Sequence, residues 1–206
     1  YLKSGRIEGL FNGKQILFKE QAKDESDIVV SYTDTTYIFK KGIFGITSSQ
    51  EKNKIILLYG YLISKLYSYY IFITSGSWGV STRPQIRWDD EYLSFPYIVP
   101  NKNSQSDLIQ LVSLFLNHFQ EYYKTNKTEE PQKDDLIFGK INLLIEKLYQ
   151  IQGYEKDLID YVLEVSRYQF QESKQDRIIR KVDIDKNFLK KYTLITQVRL
   201  KGKVNE

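Results

Sequence analysis

The sequence predicts an α+β fold: a small mixed β-sheet packed on a long buried helix, followed by a helical half. Three observations carry this. Short β-branched or alternating runs, separated by turn residues, fill residues 1–50. An almost unbroken apolar run with helical spacing fills residues 51–74. Amphipathic stretches joined by polar linkers fill residues 101–170. The corresponding organisation is a β-rich region with one long helix over residues 1–100, a helical support region over 101–170, and a basic tail over 171–206.

The first strand is placed at residues 15–18, after the Asn12-Gly13 turn signal. A second follows the charged loop 23–26 and covers 27–32. A third alternating run at 36–39 leads through Lys41-Gly42 into a fourth at 43–46. These strands read as a small antiparallel unit. Between residues 51 and 74, Ile55, Ile56, Leu58, Tyr59, Leu62, Ile63, Leu66, Tyr67 and Tyr70 recur at helical spacing. The run is long enough for a membrane span. Lys65 and the polar strip of Gly60, Ser64 and Ser68 favour a helix packed inside a domain, so no membrane partner is expected. Its end is expected near Thr74-Ser75-Gly76.

Residues 75–100 read as a loop and a short strand holding both tryptophans. Helices follow at 107–124, 134–150 and 155–168, with a polar linker at 101–106 and Gly153 as punctuation between the last two. In the tail, a short helix is placed at 184–191 and a strand at 193–200.

Composition narrows the chemistry. At 41% hydrophobic residues the 206-residue chain can bury a core. It has no cysteine, which excludes disulfides, thiolate catalysis and cysteine-ligated metals, and which fits a cytoplasmic protein. Its one histidine, His118, rules out a multi-histidine metal site and reads as structural on a helix face. The chain begins at Tyr1 without any methionine and reads as an excised piece, with no signal-peptide layout. Residues 1–100 hold 12 Lys and Arg against 10 Asp and Glu, net +2. Residues 101–170 hold 8 against 11, net −3, and residues 171–206 hold 10 against 5, net +5. An acidic middle is the wrong sign for phosphate.

The densest local signal is the Ser/Gly/Arg stretch from Thr74 to Arg87. Ser75, Ser77, Ser81 and Thr82 supply hydroxyls that suit phosphate oxygens. Arg83 and Arg87 supply forked donors that fit phosphate or the O6/N7 edge of guanine, and Gln85 fits an adenine edge. Lys40 and Lys41, beside Gly42 at a strand end, suit a phosphate. Each also has a plain structural reading: a helix-capping loop plugged by Trp78 with its arginines on a solvated rim, and a solvated turn at Lys40-Lys41. The basic stretch of Lys174, Arg177, Arg180 and Lys181 reads equally as a DNA-backbone track or a partner-docking tail. The acidic run Asp89-Asp90-Glu91 is expected to lead a strand or a helix. No paired carboxylates, metal constellation or Gly-rich phosphate loop stands out.

Taken together, several of these pieces resemble a known family. Tyr61-Leu-Ile-Ser-Lys-Leu-Tyr67, Phe72-Ile-Thr-Ser-Gly-Ser-Trp-Gly79, Arg83 and Leu93-Ser-Phe-Pro96 fall in the order and spacing of the C-terminal specificity region of TaqI-like adenine-N6 DNA methyltransferases, a group that includes fused restriction–modification enzymes. Ile43-Phe-Gly-Ile46 occupies the place of the strand before the family's Leu-x-Ser-Lys-Leu helix. Leu144-Ile-Glu-Lys-Leu-Tyr149 and Leu158-Ile-Asp-Tyr161 occupy the places of its later helices. The resemblance covers residues 1–170. Around residues 14–20 the chain is less arginine-rich than the family, and the tail after Gln171 has no counterpart.

The resemblance implies a bacterial target-recognition domain that binds double-stranded DNA and acts beside a catalytic methyltransferase domain of the same protein. It implies no catalytic residue, metal or cofactor in this piece. S-adenosylmethionine would belong to the missing catalytic domain, because the chain lacks the family's Pro-Pro motif that receives a flipped adenine. The candidate DNA-contacting residues, taken from their own chemistry above, are Ser75, Ser77, Arg83, Gln85, Arg87, Lys40 and Lys41. A protein-interaction or scaffold module of a restriction–modification complex is the alternative, with residues 107–168 docking a neighbouring domain.

Overall fold

Alternation of apolar and polar residues sets the sheet. In the computed structural model, which describes residues 13–20, 29–35, 42–48, 52–75, 91–92, 94–125 and 135–166 (backbone only at 121–125), three strands pair in the order β2-β1-β3. They are β1 (Lys14–Lys19), β2 (Val30–Thr33) and β3 (Ile43–Ser48), and both pairings are antiparallel. Ile16 faces Tyr32 on one side and Ile46 on the other, so one register serves both neighbours. Ile16 and Phe18 are fully buried, as the period of two requires for residues sharing a face. Gly42 enters β3 at φ +94, a conformation that side chains with a Cβ resist, which is why a glycine follows Lys41. The run at 36–39 lies outside the described residues, as do Trp78 and everything after residue 166.

The apolar run at 51–74 is not one helix. It forms α1 (Lys52–Leu62) and α2 (Lys65–Thr74), bent by 62°. The cause is Ser64, fully buried, whose hydroxyl donates to the Tyr61 carbonyl at 2.6 Å and accepts from the Tyr67 N–H at 3.1 Å. One residue thus closes the first helix, its backbone N–H and hydroxyl both donating to the Tyr61 carbonyl, and caps an orphan amide of the second. Helical periodicity alone does not reveal the break, because the apolar pattern continues through it.

Among the described residues no single helix is long and apolar enough to cross a membrane. α1 and α2 together pass by length and composition, yet Ile55, Ile56, Leu57, Tyr59, Tyr61, Leu62, Tyr67 and Ile71 are all buried within this chain.

α1 is the centre of the molecule. One side meets the sheet, where Tyr59 approaches the ring of Tyr32 with centroids 5.9 Å apart. The other meets α3 (Lys102–Thr125). Gly60 permits that approach, since a Cβ there would lie 2.7 Å from Val112 Cγ2. α3 starts earlier than its apolar pattern suggests. Asn101 caps it by accepting the Ser104 N–H at 2.9 Å, which draws the polar residues 102–106 into the first turns. His118 is exposed on α3: Phe115 and Phe119 take the core-facing positions, and residue 118 falls about 100° away from Phe119.

α4 (Asp135–Leu148) runs back along α3, with Phe115 and Phe138 in contact near one end. Its regular turns end at Leu148 and the chain leaves it at Gln150, where the sequence places the helix end. Gln150 has φ 55, and the Ile151 N–H donates to the Glu146 carbonyl at 2.9 Å, a left-handed helix stop. Gly153 instead begins α5 (Gly153–Tyr161), which passes into a π-helical turn at Val162–Ser166. Asn142, buried on α4, accepts the Lys65 N–H at 2.8 Å and donates to the Phe138 carbonyl at 2.9 Å. Lys65 also pairs with Asp160 at 2.8 Å. Burial draws the Lys65 ammonium down, but the hydrogen bond and charge of Asp160, with Glu164, hold it above its ordinary value.

The short strand expected within residues 75–100 does not form over the described residues 91–92 and 94–100. Tyrosine hydroxyls hold this part of the chain instead. Tyr67 donates to the Tyr92 carbonyl at 3.2 Å, Tyr149 to Pro96 at 2.6 Å and Tyr61 to Ile98 at 2.8 Å. Backbone acceptors denied a ladder are satisfied by side chains.

Candidate nucleic-acid interface

Four parts of the chain meet at the Lys19 end of β1. Ser75 closes α2, its N–H donating to the Ile71 carbonyl at 2.9 Å. The Ser75 hydroxyl donates to Glu91 Oε2 at 3.1 Å, with both residues buried. Ser75 and Glu91 are fifteen residues apart if the ends are left out, so the two ends of segment 76–90 are tied together. Next to that tie, the Tyr92 hydroxyl donates to the Lys19 carbonyl at 3.0 Å, and the Tyr92 ring lies 4.8 Å from that of Phe18. One residue on, the Glu20 N–H donates to the Gly42 carbonyl at 2.9 Å, and the Lys19 N–H donates to Val29 at 3.1 Å. Gly42 directly follows Lys40-Lys41.

The consequence is topological. The segment that holds Ser77, Arg83, Gln85 and Arg87 and the segment that holds Lys40 and Lys41 are rooted within a few hydrogen bonds of each other. Sequence alone treats these two signals as unrelated. The six residues themselves lie outside the described residues. Ser75, the seventh, is described: it is 7% exposed and its hydroxyl is directed to Glu91. Lys19, on the last position of β1, is exposed at the same end.

Burial pushes the Tyr67 and Tyr92 phenols above the usual range, with Tyr92 and Tyr70 adding to the effect on Tyr67 and Glu91 to that on Tyr92. Both remain neutral donors at physiological pH. Sequence reading missed Glu91, Tyr92 and Tyr67 as anchors. Tyr67 carried a signal, because it ends the Leu-x-Ser-Lys-Leu-Tyr run. Glu91 carried only its place in an acidic run; its partner, Ser75, is sixteen residues away and becomes adjacent only on folding.

Among the described residues no group of three or more His, Asp or Glu gathers as a metal site. The arrangement is suited to holding segments in place.

No protein-family profile and no curated protein sequence matches this chain. Among solved structures, it resembles a Type IIL restriction–modification enzyme, MmeI, whose structure is of the complex with DNA. The TM-score is 0.54 at 16% identity, over 74% of this chain and 21% of that protein. The chain therefore shares its fold with about a fifth of a restriction–modification enzyme.

Proposed function

We propose that this chain is the target-recognition part of a bacterial adenine-N6 DNA methyltransferase or restriction–modification enzyme, binding double-stranded DNA with sequence specificity. The observation that carries this reading is the shared fold with a portion of a restriction–modification enzyme solved on DNA. The common root of the two basic segments supports it: a groove-reading element needs donors held in register by a rigid scaffold. Arg83 and Arg87 are its principal contacts, with Gln85, Ser77, Lys40 and Lys41 beside them. Ser75, held by Glu91, fixes where the loop begins. The acidic helical half supports and does not touch phosphate. Methyl transfer and S-adenosylmethionine belong to another part of the parent protein, and the location is cytoplasmic.

The test is binding of the parent enzyme to duplexes of randomised sequence, wild type against the Arg83→Ala/Arg87→Ala double variant. Loss of about 1–3 kcal/mol with relaxed preference at one base pair is expected if one arginine reads guanine. A phosphate contact instead weakens binding evenly and lowers the salt slope by about one unit. Unchanged affinity and unchanged site choice remove this loop from the recognition surface.

A further inference from the structure

The outer face of the α3–α4 hairpin carries two matching stripes. On α3, Asp107, Leu111, Leu114 and His118 stand at spacings of four, three and four. On α4, Leu136, Lys140, Leu143 and Lys147 repeat the same spacing. Asp107, Leu111, Lys140, Leu143, Leu144 and Lys147 line one open groove between the helices. Leu114 is 52% exposed and Leu143 57%, although each lies in a well-formed helix. No ion pair engages Asp107, Lys140 or Lys147 among the described residues. Beside Leu143, Gly139 sits within α4, where a Cβ would meet nothing within 4 Å. Glycine there costs about 1 kcal/mol against alanine, and no contact among the described residues requires it.

We infer that this face is a self-association surface, in which the α3–α4 hairpins of two copies of the chain form an antiparallel four-helix bundle. Steps that alternate between four and three residues are those of the a and d positions of a helix–helix seam. The two walls of the groove differ in charge, acidic at Asp107 and basic at Lys140 and Lys147. A two-fold axis along the groove lays α3 of each copy against α4 of the other. It brings Asp107 opposite the second copy's Lys147 and Leu111 opposite its Leu143, and it leaves neighbouring helices antiparallel, as in an up-down bundle. The open space at Gly139 lets a facing backbone approach closely. An unrelated partner helix would leave one of the two charged walls without a complement, whereas a second copy complements both.

Sedimentation equilibrium of the full 206-residue chain tests this without DNA, so its outcome is separate from that of the DNA-binding reading. The expected result is a mass rising from one chain to two with concentration. Leu143→Asp weakens the dimer about tenfold or more. Asp107→Lys also weakens it, and adding Lys147→Asp to that variant restores it. Each of these side chains is at the surface, and Leu114→Asp on the opposite wall stands in for any variant whose circular dichroism shows unfolding. A single-chain mass at every concentration overturns the inference. So does a dimer that Leu143→Asp and Leu114→Asp leave equally tight.

Discussion

At the residue scale, contacts between positions distant in sequence decide which side chains matter. Gly60 reads as part of a polar strip in the sequence, yet its role is to let α1 lie against Val112 and Leu108. Two effects compete in Gly60→Ala. Helix propensity favours alanine by about 1 kcal/mol. Overpacking a tight contact costs about 1–3 kcal/mol, and Val112 is β-branched and has few rotamers to yield with. We expect net destabilisation in urea unfolding, largely relieved by adding Val112→Ala. A more stable Gly60→Ala single variant would show that the helices part without cost. The tie below segment 76–90 is tested in the same way. Ser75→Ala removes one donor from buried Glu91 and is expected to cost about 1–3 kcal/mol; an unchanged midpoint would mean that the tie contributes nothing.

At the element scale, helix ends proved less legible than helix faces. The apolar faces of residues 51–74, 107–119 and 137–148 stand out in the sequence because burial selects residues at helical period. The joint at Ser64 does not, because serine within a helix and serine between two helices look alike until the partners at Tyr61 and Tyr67 are known. Ser64→Ala is expected to cost about 0.5–2 kcal/mol, as loss of an N-cap does, and near-neutral stability would assign the bend to packing alone. The helix end expected at residue 150 is found there, but its left-handed turn is hidden, because nothing in a glutamine signals a positive φ. Gln150 holds the left-handed conformation that glycine adopts freely. Gln150→Gly is therefore expected to raise stability by about 0.5–1 kcal/mol in thermal unfolding; a fall would show that the glutamine side chain secures the turn.

At the scale of the whole molecule, the tyrosines give the fold an alkaline limit. Burial first, then neighbouring phenols, raises Tyr61 and Tyr67; burial and then Glu91 raise Tyr92; burial pushes Tyr149 up to about 12. In an unfolded chain these phenols ionise near ~10. Above that pH the unfolded state holds fewer protons than the folded one, so the stability they contribute is complete below about 10 and is lost as pH rises through the folded values. Ultraviolet titration should show some tyrosines ionising late and together with unfolding. Tyrosinate absorbance that rises fully before the fold is lost would contradict this. The division of labour between the halves has its own readout. With DNA bound to the parent enzyme, hydrogen-exchange protection is expected around β1, β3 and the end of α2. Protection confined to α3–α5 would reverse the proposed orientation.

Local pattern determined much of this protein: an α+β chain, strands at β1 and β3, apolar helix faces, and two clusters of cationic and hydroxyl side chains suited to nucleic acid. Those features follow from periodicity and residue chemistry, which need no partner at long range. Only the tertiary structure decided that the central helix is two helices at 62°, that tyrosine hydroxyls carry the chain through Tyr92, Pro96 and Ile98, and that the roots of both basic segments meet at one end of β1. Each depends on a hydrogen bond or close approach between residues whose sequence separation carries no periodic signal. Burial makes such bonds obligatory, and the chain's path determines which groups satisfy them.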